Sequence, residues 1–205
     1  MLKNDIQVYL GIHDLKSITK GFAKPEPIKS IHIHKDFTWK KKYPDIALMK
    51  LEKHVIFSDR IQPICLPGND QTTLPAQVAG WGRLFENGVT AKKLQYTNLT
   101  IITNAKCQKH KQLRNDVNSF TMCAYGGSKD ACEGDSGGPL MIEKKLQGLR
   151  PRFYWEQVGI VSWGIGCGRK NMPGIYARVY TLLDWIAEHT KDALYCKKPV
   201  INTLK

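Results

Sequence analysis

The chain has 205 residues, 42% apolar and 24% charged, and its 31 Lys and Arg exceed its 18 Asp and Glu by 13. That length supports one or two domains with a real core, and the composition excludes wholesale disorder and a collagen repeat. No apolar run approaches the ~18 residues that span a bilayer. Met1-Leu2-Lys3-Asn4-Asp5 carries an acid and leads into an alternating pattern, so it does not read as a secretory signal peptide.

A net charge of +13 suits a polyanion such as an acidic glycan, an anionic lipid surface, a nucleic acid or simply a soluble basic protein. The lysines are dispersed, with small runs at Lys40-Lys41-Lys42 and Lys197-Lys198. No nucleic-acid recognition pattern interleaves them with aromatics, so no nucleic-acid partner is expected, while a polyanion stays open. The six cysteines, at 65, 107, 123, 132, 167 and 196, include no CxxC pair, and no histidine stands at a zinc-finger interval. A metal site is therefore not expected. Their wide spread points instead to disulfides and an oxidising, extracellular setting.

In chain order, Ile6-Gln7-Val8-Tyr9-Leu10 alternates and predicts a strand, as does Ile28 to His34. Ile46 to Leu51 is mostly apolar and predicts a strand buried on both faces. Gln77 to Gly82 is a short strand and Gln95 to Ile102 a longer one. Turn clusters separate them at Lys24-Pro25-Glu26-Pro27, Leu66-Pro67-Gly68-Asn69-Asp70 and Glu86-Asn87-Gly88. Many short strands at this rhythm argue for an all-β sandwich or barrel. Two helices interrupt them. Asn104 is placed to cap a short helix over Ala105 to Leu113. Thr181 followed by Asp184 resembles a capping box ahead of Leu182, Leu183, Trp185 and Ile186. Residues 1–196 form the structured unit, and 197–205 are a polar tail. Asn98-Leu99-Thr100 is a glycosylation sequon inside the predicted strand.

The segment that carries chemistry is Cys132-Glu133-Gly134-Asp135-Ser136-Gly137-Gly138-Pro139-Leu140. Flanking glycines let a substrate and the backbone approach a serine closely, and let N–H groups converge on one point. Val161-Ser162-Trp163-Gly164-Ile165-Gly166-Cys167-Gly168 and Pro173-Gly174-Ile175-Tyr176 follow it. Together with Leu10-Gly11-Ile12-His13-Asp14-Leu15, Asp45-Ile46-Ala47-Leu48-Met49-Lys50-Leu51, Pro63-Ile64-Cys65-Leu66-Pro67 and Gly80-Trp81-Gly82, the chain resembles the chymotrypsin/trypsin-like serine proteases from about Asp5 to His189.

The resemblance implies two packed antiparallel β-barrels with the active site between them and a C-terminal helix. It makes Ser136 the nucleophile and Asp45 the carboxylate that orients a catalytic imidazole. The amides of Gly134 and Ser136 form the oxyanion hole. Asp130 stands at the base of the primary pocket, where a carboxylate pairs with a substrate Arg or Lys. Gly164 and Gly174 are its walls, and Ser162-Trp163-Gly164 is the strand that pairs with substrate backbone. Asp135 is the acid that accepts a freed N-terminal amine on zymogen activation. The implied disulfides are Cys107–Cys123 and Cys132–Cys167. Cys65 matches a position that tethers an upstream regulatory segment in modular members. Its partner and that of Cys196 stay open: missing sequence, each other, or none. No cofactor is implied. Ile12 stands where calcium-binding members have an acid, and Pro173 where sodium-responsive members have an aromatic.

Two family elements have no counterpart, the Ala-Ala-His-Cys segment with the catalytic base and the Ile-Val-Gly-Gly N-terminus. Both belong before Leu10-Gly11. The first barrel is expected to be incomplete, the chain a fragment, and the 205 residues inactive alone. Histidines 13, 32, 34, 54, 110 and 189 all lack the context of the base. The expected activity is endopeptidase cleavage after Arg over Lys; the alternative is a non-catalytic homologue that binds through its cleft.

Overall fold

Apolar residues on alternate positions of short strands bury a common face when the strands close on one another. In the computed structural model, which describes residues 5–146 and 152–196, the strands are β1 (Ile28–Ile33), β2 (Ala47–Leu51), β3 (Pro75–Gly80), β4 (Gln95–Ile102), β5 (Thr121–Tyr125), β6 (Pro139–Leu146), β7 (Arg152–Trp163) and β8 (Gly174–Arg178). Strands β3–β4–β5–β8–β7–β6 close into one antiparallel barrel, with Val78 paired to Leu140 where β3 meets β6. Strands β1 and β2 form a separate two-stranded sheet.

Inside the barrel, Ile101, Leu140, Met122, Ile142 and Tyr176 are each 0–1% exposed. Each such aliphatic burial contributes about 1.5–3 kcal/mol relative to exposure. Strands β5 and β8 are buried almost throughout because both faces are covered. Met122, Ala124 and Tyr176 face the barrel core, while Cys123 and Ile175 pack outside with Ile102, Leu113 and Val117. The buried Arg178 is fully engaged: its guanidinium donates to Asp70, Asn104 and the Thr121 carbonyl. A buried cation needs such partners to be tolerated.

Three disulfides brace the chain. Cys107–Cys123 and Cys132–Cys167 are paired as the resemblance implies, and Cys65 pairs with Cys196. The last pair is one of the alternatives left open by the sequence: Cys65 and Cys196 bond to each other.

Four local expectations are corrected. Ile6 to Leu10 forms no strand, only a bridge of Val8 with Glu26; Pro25 and Pro27 flank Glu26, and their missing N–H groups stop the ladder. Ile46 to Leu51 is not buried on both faces, since β2 pairs only with β1 and leaves Met49 49% exposed. The helix after β4 is one turn (Asn104–Cys107), capped by Thr103, whose hydroxyl accepts from Lys106 N at 3.2 Å. Asn104 instead donates to the Asn118 and Thr121 carbonyls. The capping box is also absent: a 3-10 turn over Val179–Leu182 leads into the last helix (Leu183–His189), and the Thr181 hydroxyl donates back to Arg178 O. Residues 197–205, the expected tail, lie outside the described residues. Asn98 sits on the outward face of β4, its carbonyl accepting from Gln77 Nε2 at 3.0 Å.

Candidate active site

Ser136 lies in the turn between Cys132 and β6. Its neighbours pin that turn to β7: Gly137 N donates to Val161 O at 2.9 Å, and Val161 N donates to Gly138 O at 2.8 Å. Ser136 itself is exposed, and among the described residues its hydroxyl has no hydrogen-bond partner. The amides of Gly134 and Ser136 likewise donate to no other group among the described residues. Gly134 has φ +95°, and a Cβ there would stand 3.1 Å from Gly82 Cα. Only glycine suits both demands.

Asp135 points the other way. Its carboxylate accepts from Gly82 N at 2.7 Å and Cys132 N at 2.9 Å. A side chain on Gly80 or Gly82 would meet that carboxylate within 2.0–2.6 Å. Gly80-Trp81-Gly82 is therefore a seat shaped for Asp135, and Asp135 in turn fixes the Gly134–Ser136 turn.

Beneath Ser136 lies a cavity of about 400 Å³, lined among others by Asp130, Ala131, Ser162, Trp163, Gly164 and Gly174. The structure thus gathers the nucleophile candidate and the pocket residues around one space. Asp130 is held by the amides of Ala131 at 2.9 Å and Gly168 at 3.2 Å. Burial raises its pKa to about 6, against the pull of those two amides. A Cβ on Gly174 would come within 2.8 Å of the Asp130 carboxylate, and one on Gly164 would face Gly174 Cα. Those glycines keep the slot open. A second cavity of about 260 Å³ touches Asp130 and Asp135 from the β3 side without reaching Ser136.

Asp45 lies just ahead of β2. Ile46, 5% exposed, packs with Ala177, Val179, Leu182 and Ile186. This anchor sets Asp45 against the end of β7, where Ser162 Oγ donates to its carboxylate at 2.5 Å. Asp45 itself does not line the Ser136 cavity; no histidine hydrogen-bonds Asp45 or Ser136 among the described residues, and none lines that cavity. His32, His34 and His189 cluster instead around Trp185.

Three further side chains reach the site. Tyr176 is 1% exposed, lines the cavity and leaves its hydroxyl without a partner among the described residues. Burial and the Asp130 charge raise its pKa well above the usual phenol value. Glu86 enters the same cavity from the turn after β3, accepting from Arg169 Nε at 2.9 Å and Cys167 N at 3.3 Å. Those partners lower its pKa, Arg169 first. Lys42 places its ammonium 4.4 Å from the Trp163 ring centroid, a cation–π contact at the rim. Only the Pro173-Gly174-Ile175-Tyr176 motif hinted at the first.

An exposed serine in a glycine turn that shares a cavity with a buried carboxylate, with Asp45 held by the cavity-lining Ser162, is the arrangement of a chymotrypsin/trypsin-like serine protease domain. The comparisons agree: the family model described as Trypsin matches residues 1–186, and the chain belongs to that family. Transmembrane protease serine 11G of Mus musculus is 40% identical over 168 residues, covering 80% of this chain and 39% of that protein. Transmembrane protease serine 11G of Rattus norvegicus matches with the same identity and coverage. The chain thus spans about two-fifths of the length of these curated relatives. No helix among the described residues is long and apolar enough to cross a membrane.

Proposed function

We propose that the chain is the core of an extracellular endopeptidase that cleaves protein substrates after Arg in preference to Lys, through an acyl-enzyme on Ser136. The observation that carries this reading is the shared cavity of Asp130 and Ser136. A guanidinium meets the Asp130 carboxylate bidentately, and the scissile carbonyl then lies at Ser136 with Gly134 and Ser136 amides as oxyanion donors. Ala131 offers no hydroxyl to help solvate a lysine ammonium, and Arg needs less help. Asp45 orients and stabilises an imidazolium, and Asp135 receives a freed N-terminal amine. The disulfides support the extracellular setting.

The 205 residues acting alone are inactive in this account, because no imidazole meets Asp45 or Ser136. The same observation favours a second reading, a protease-like protein that binds basic side chains without cleaving. A chimera separates the two. The N-terminal part of the mouse relative's protease region is joined to this chain and activated by cleavage. Ser136-dependent hydrolysis of paired esters, faster for Arg than for Lys, is expected. A Lys preference refutes the specificity, and a folded chimera without turnover favours the binding reading.

A further inference from the structure

Residues 104–115 read Asn-Ala-Lys-Cys-Gln-Lys-His-Lys-Gln-Leu-Arg-Asn and contain no acid. Lys106, Lys109, Lys111 and Arg114 are all exposed. Ion pairs of Lys or Arg among the described residues are Lys50–Asp192, Arg83–Glu133, Arg169–Glu86 and Arg178–Asp70. Among the described residues Lys106, Lys109, Lys111 and Arg114 have no ion-pair partner.

The segment is also rigidly presented. Cys107 is bonded to Cys123, and Leu113 and Val117 are 0% and 4% exposed in the cluster that backs Trp163, Ile165 and Met172. Successive turns run His110 N to Cys107 O, Leu113 N to His110 O and Val117 N to Leu113 O, at 3.0–3.2 Å. Gln108 Nε2 donates to Val117 O at 2.9 Å. Little backbone ordering remains to oppose binding.

We propose that the exposed segment carrying Lys106, Lys109, Lys111 and Arg114 is a docking surface for a sulfated glycosaminoglycan. One exposed ion pair contributes only ~0–1 kcal/mol, so four exposed cations close together in sequence suit a polymer of anions, where contacts add through a single chain. The other polyanions fit less well. Residues 104–115 offer no Phe, Tyr or Trp for a nucleic-acid base to stack on. Their one large aliphatic side chain, Leu113, is buried and has nothing to insert into a lipid surface. Disulfides place the chain where sulfated glycans occur.

The test does not rest on the protease reading, since Ser136 and Asp130 take no part in it. Binding of the 205-residue chain to heparin is titrated from low to high salt. In K106Q/K109Q/K111Q/R114Q the Kd is expected to rise about tenfold or more, and the slope of log Kd against log salt to fall by about 3. The equal-charge control K16Q/K20Q/K24Q/K53Q, on exposed lysines of the N-terminal region, is expected to weaken binding under about threefold. Acetylation footprinting of the unsubstituted chain supplies a readout that needs no variant. Heparin is expected to protect Lys106, Lys109 and Lys111 ahead of Lys16, Lys20 and Lys24. Equal loss in both variants, uniform protection, or tighter binding to phosphatidylserine vesicles or single-stranded DNA than to heparin overturns the proposal.

Discussion

The six-stranded barrel and the two-stranded sheet before it carry the site unequally. The barrel closes on itself, buries Ile101, Leu140 and Tyr176 to 0–1% exposure, and holds Ser136, Gly134, Asp135 and Asp130. The sheet pairs two strands, leaves Ile33 60% and Met49 49% exposed, and has Asp45 just ahead of its second strand, anchored through Ile46. A closed barrel can preorganise a nucleophile and its pocket from within. The stretch leading into β2 holds Asp45 through Ile46, which packs on the barrel and the last helix and whose carbonyl accepts from His34 N at 3.1 Å.

Core substitutions sharpen that contrast most. Leu140→Ala in the barrel is expected to cost about 3–4 kcal/mol, whereas Met49→Ala on the sheet is expected to stay within about 0.5 kcal/mol. Urea titrations of both variants read the difference directly. Comparable losses would mean that the two regions fold as one equally packed unit.

The next largest effect lies in the pocket. Asp130→Ser is expected to weaken benzamidine binding by about a hundredfold, through loss of the charge-assisted pair. Asp45→Asn just ahead of β2 is expected to change it by under about threefold. Calorimetric titration distinguishes them, and a strong Asp45 effect would show that the sheet shapes the pocket.

A pH series is the third check. Cation binding needs an ionised Asp130, and burial raises its pKa to about 6. Between pH 7.5 and pH 5 benzamidine affinity is expected to fall about tenfold, and Asp130→Ser is expected to abolish the dependence. The linkage to stability has the opposite sign. Between about pH 6 and pH 4 the folded chain binds this proton while the unfolded chain does not, so this group favours folding increasingly as pH falls. A flat binding profile would place the cation away from Asp130.

The smallest effect concerns Lys42, which reaches from the sheet side to Trp163 on β7. Arginine-ending peptides with Asp upstream are expected to displace benzamidine about threefold better than those with Gln, at low salt only. Lys42→Ala is expected to erase the preference. Equal competition by both peptides would leave the Lys40-Lys41-Lys42 run as a solvated face.

Local pattern explains what the sequence made legible. Strand β4 runs over Gln95–Ile102 as its alternation predicts, because Leu99 and Ile101 face one core. Ser136 stood out among glycines, while the roles expected of Ser136 and Asp130 came from the family resemblance; the structure places both on one cavity. What was hidden depends on distant parts of the chain. Glu86 meets Cys167 across 81 residues, and Cys65 meets Cys196 across 131. The Val8 alternation failed because its partner segment is proline-flanked. Thr103 displaced Asn104 as the helix cap because Asn104 is occupied by Arg178 and two carbonyls.

The most direct test of the account is hydrolysis of an arginine ester by the purified 205-residue chain, beside its Ser136→Ala variant, with benzamidine binding confirming that the pocket is formed. The account predicts a formed pocket and equal, background hydrolysis in both, because Ser136 and Asp45 meet no imidazole. Turnover that disappears with Ser136→Ala would contradict it, and would mean that one of the six histidines reaches the serine.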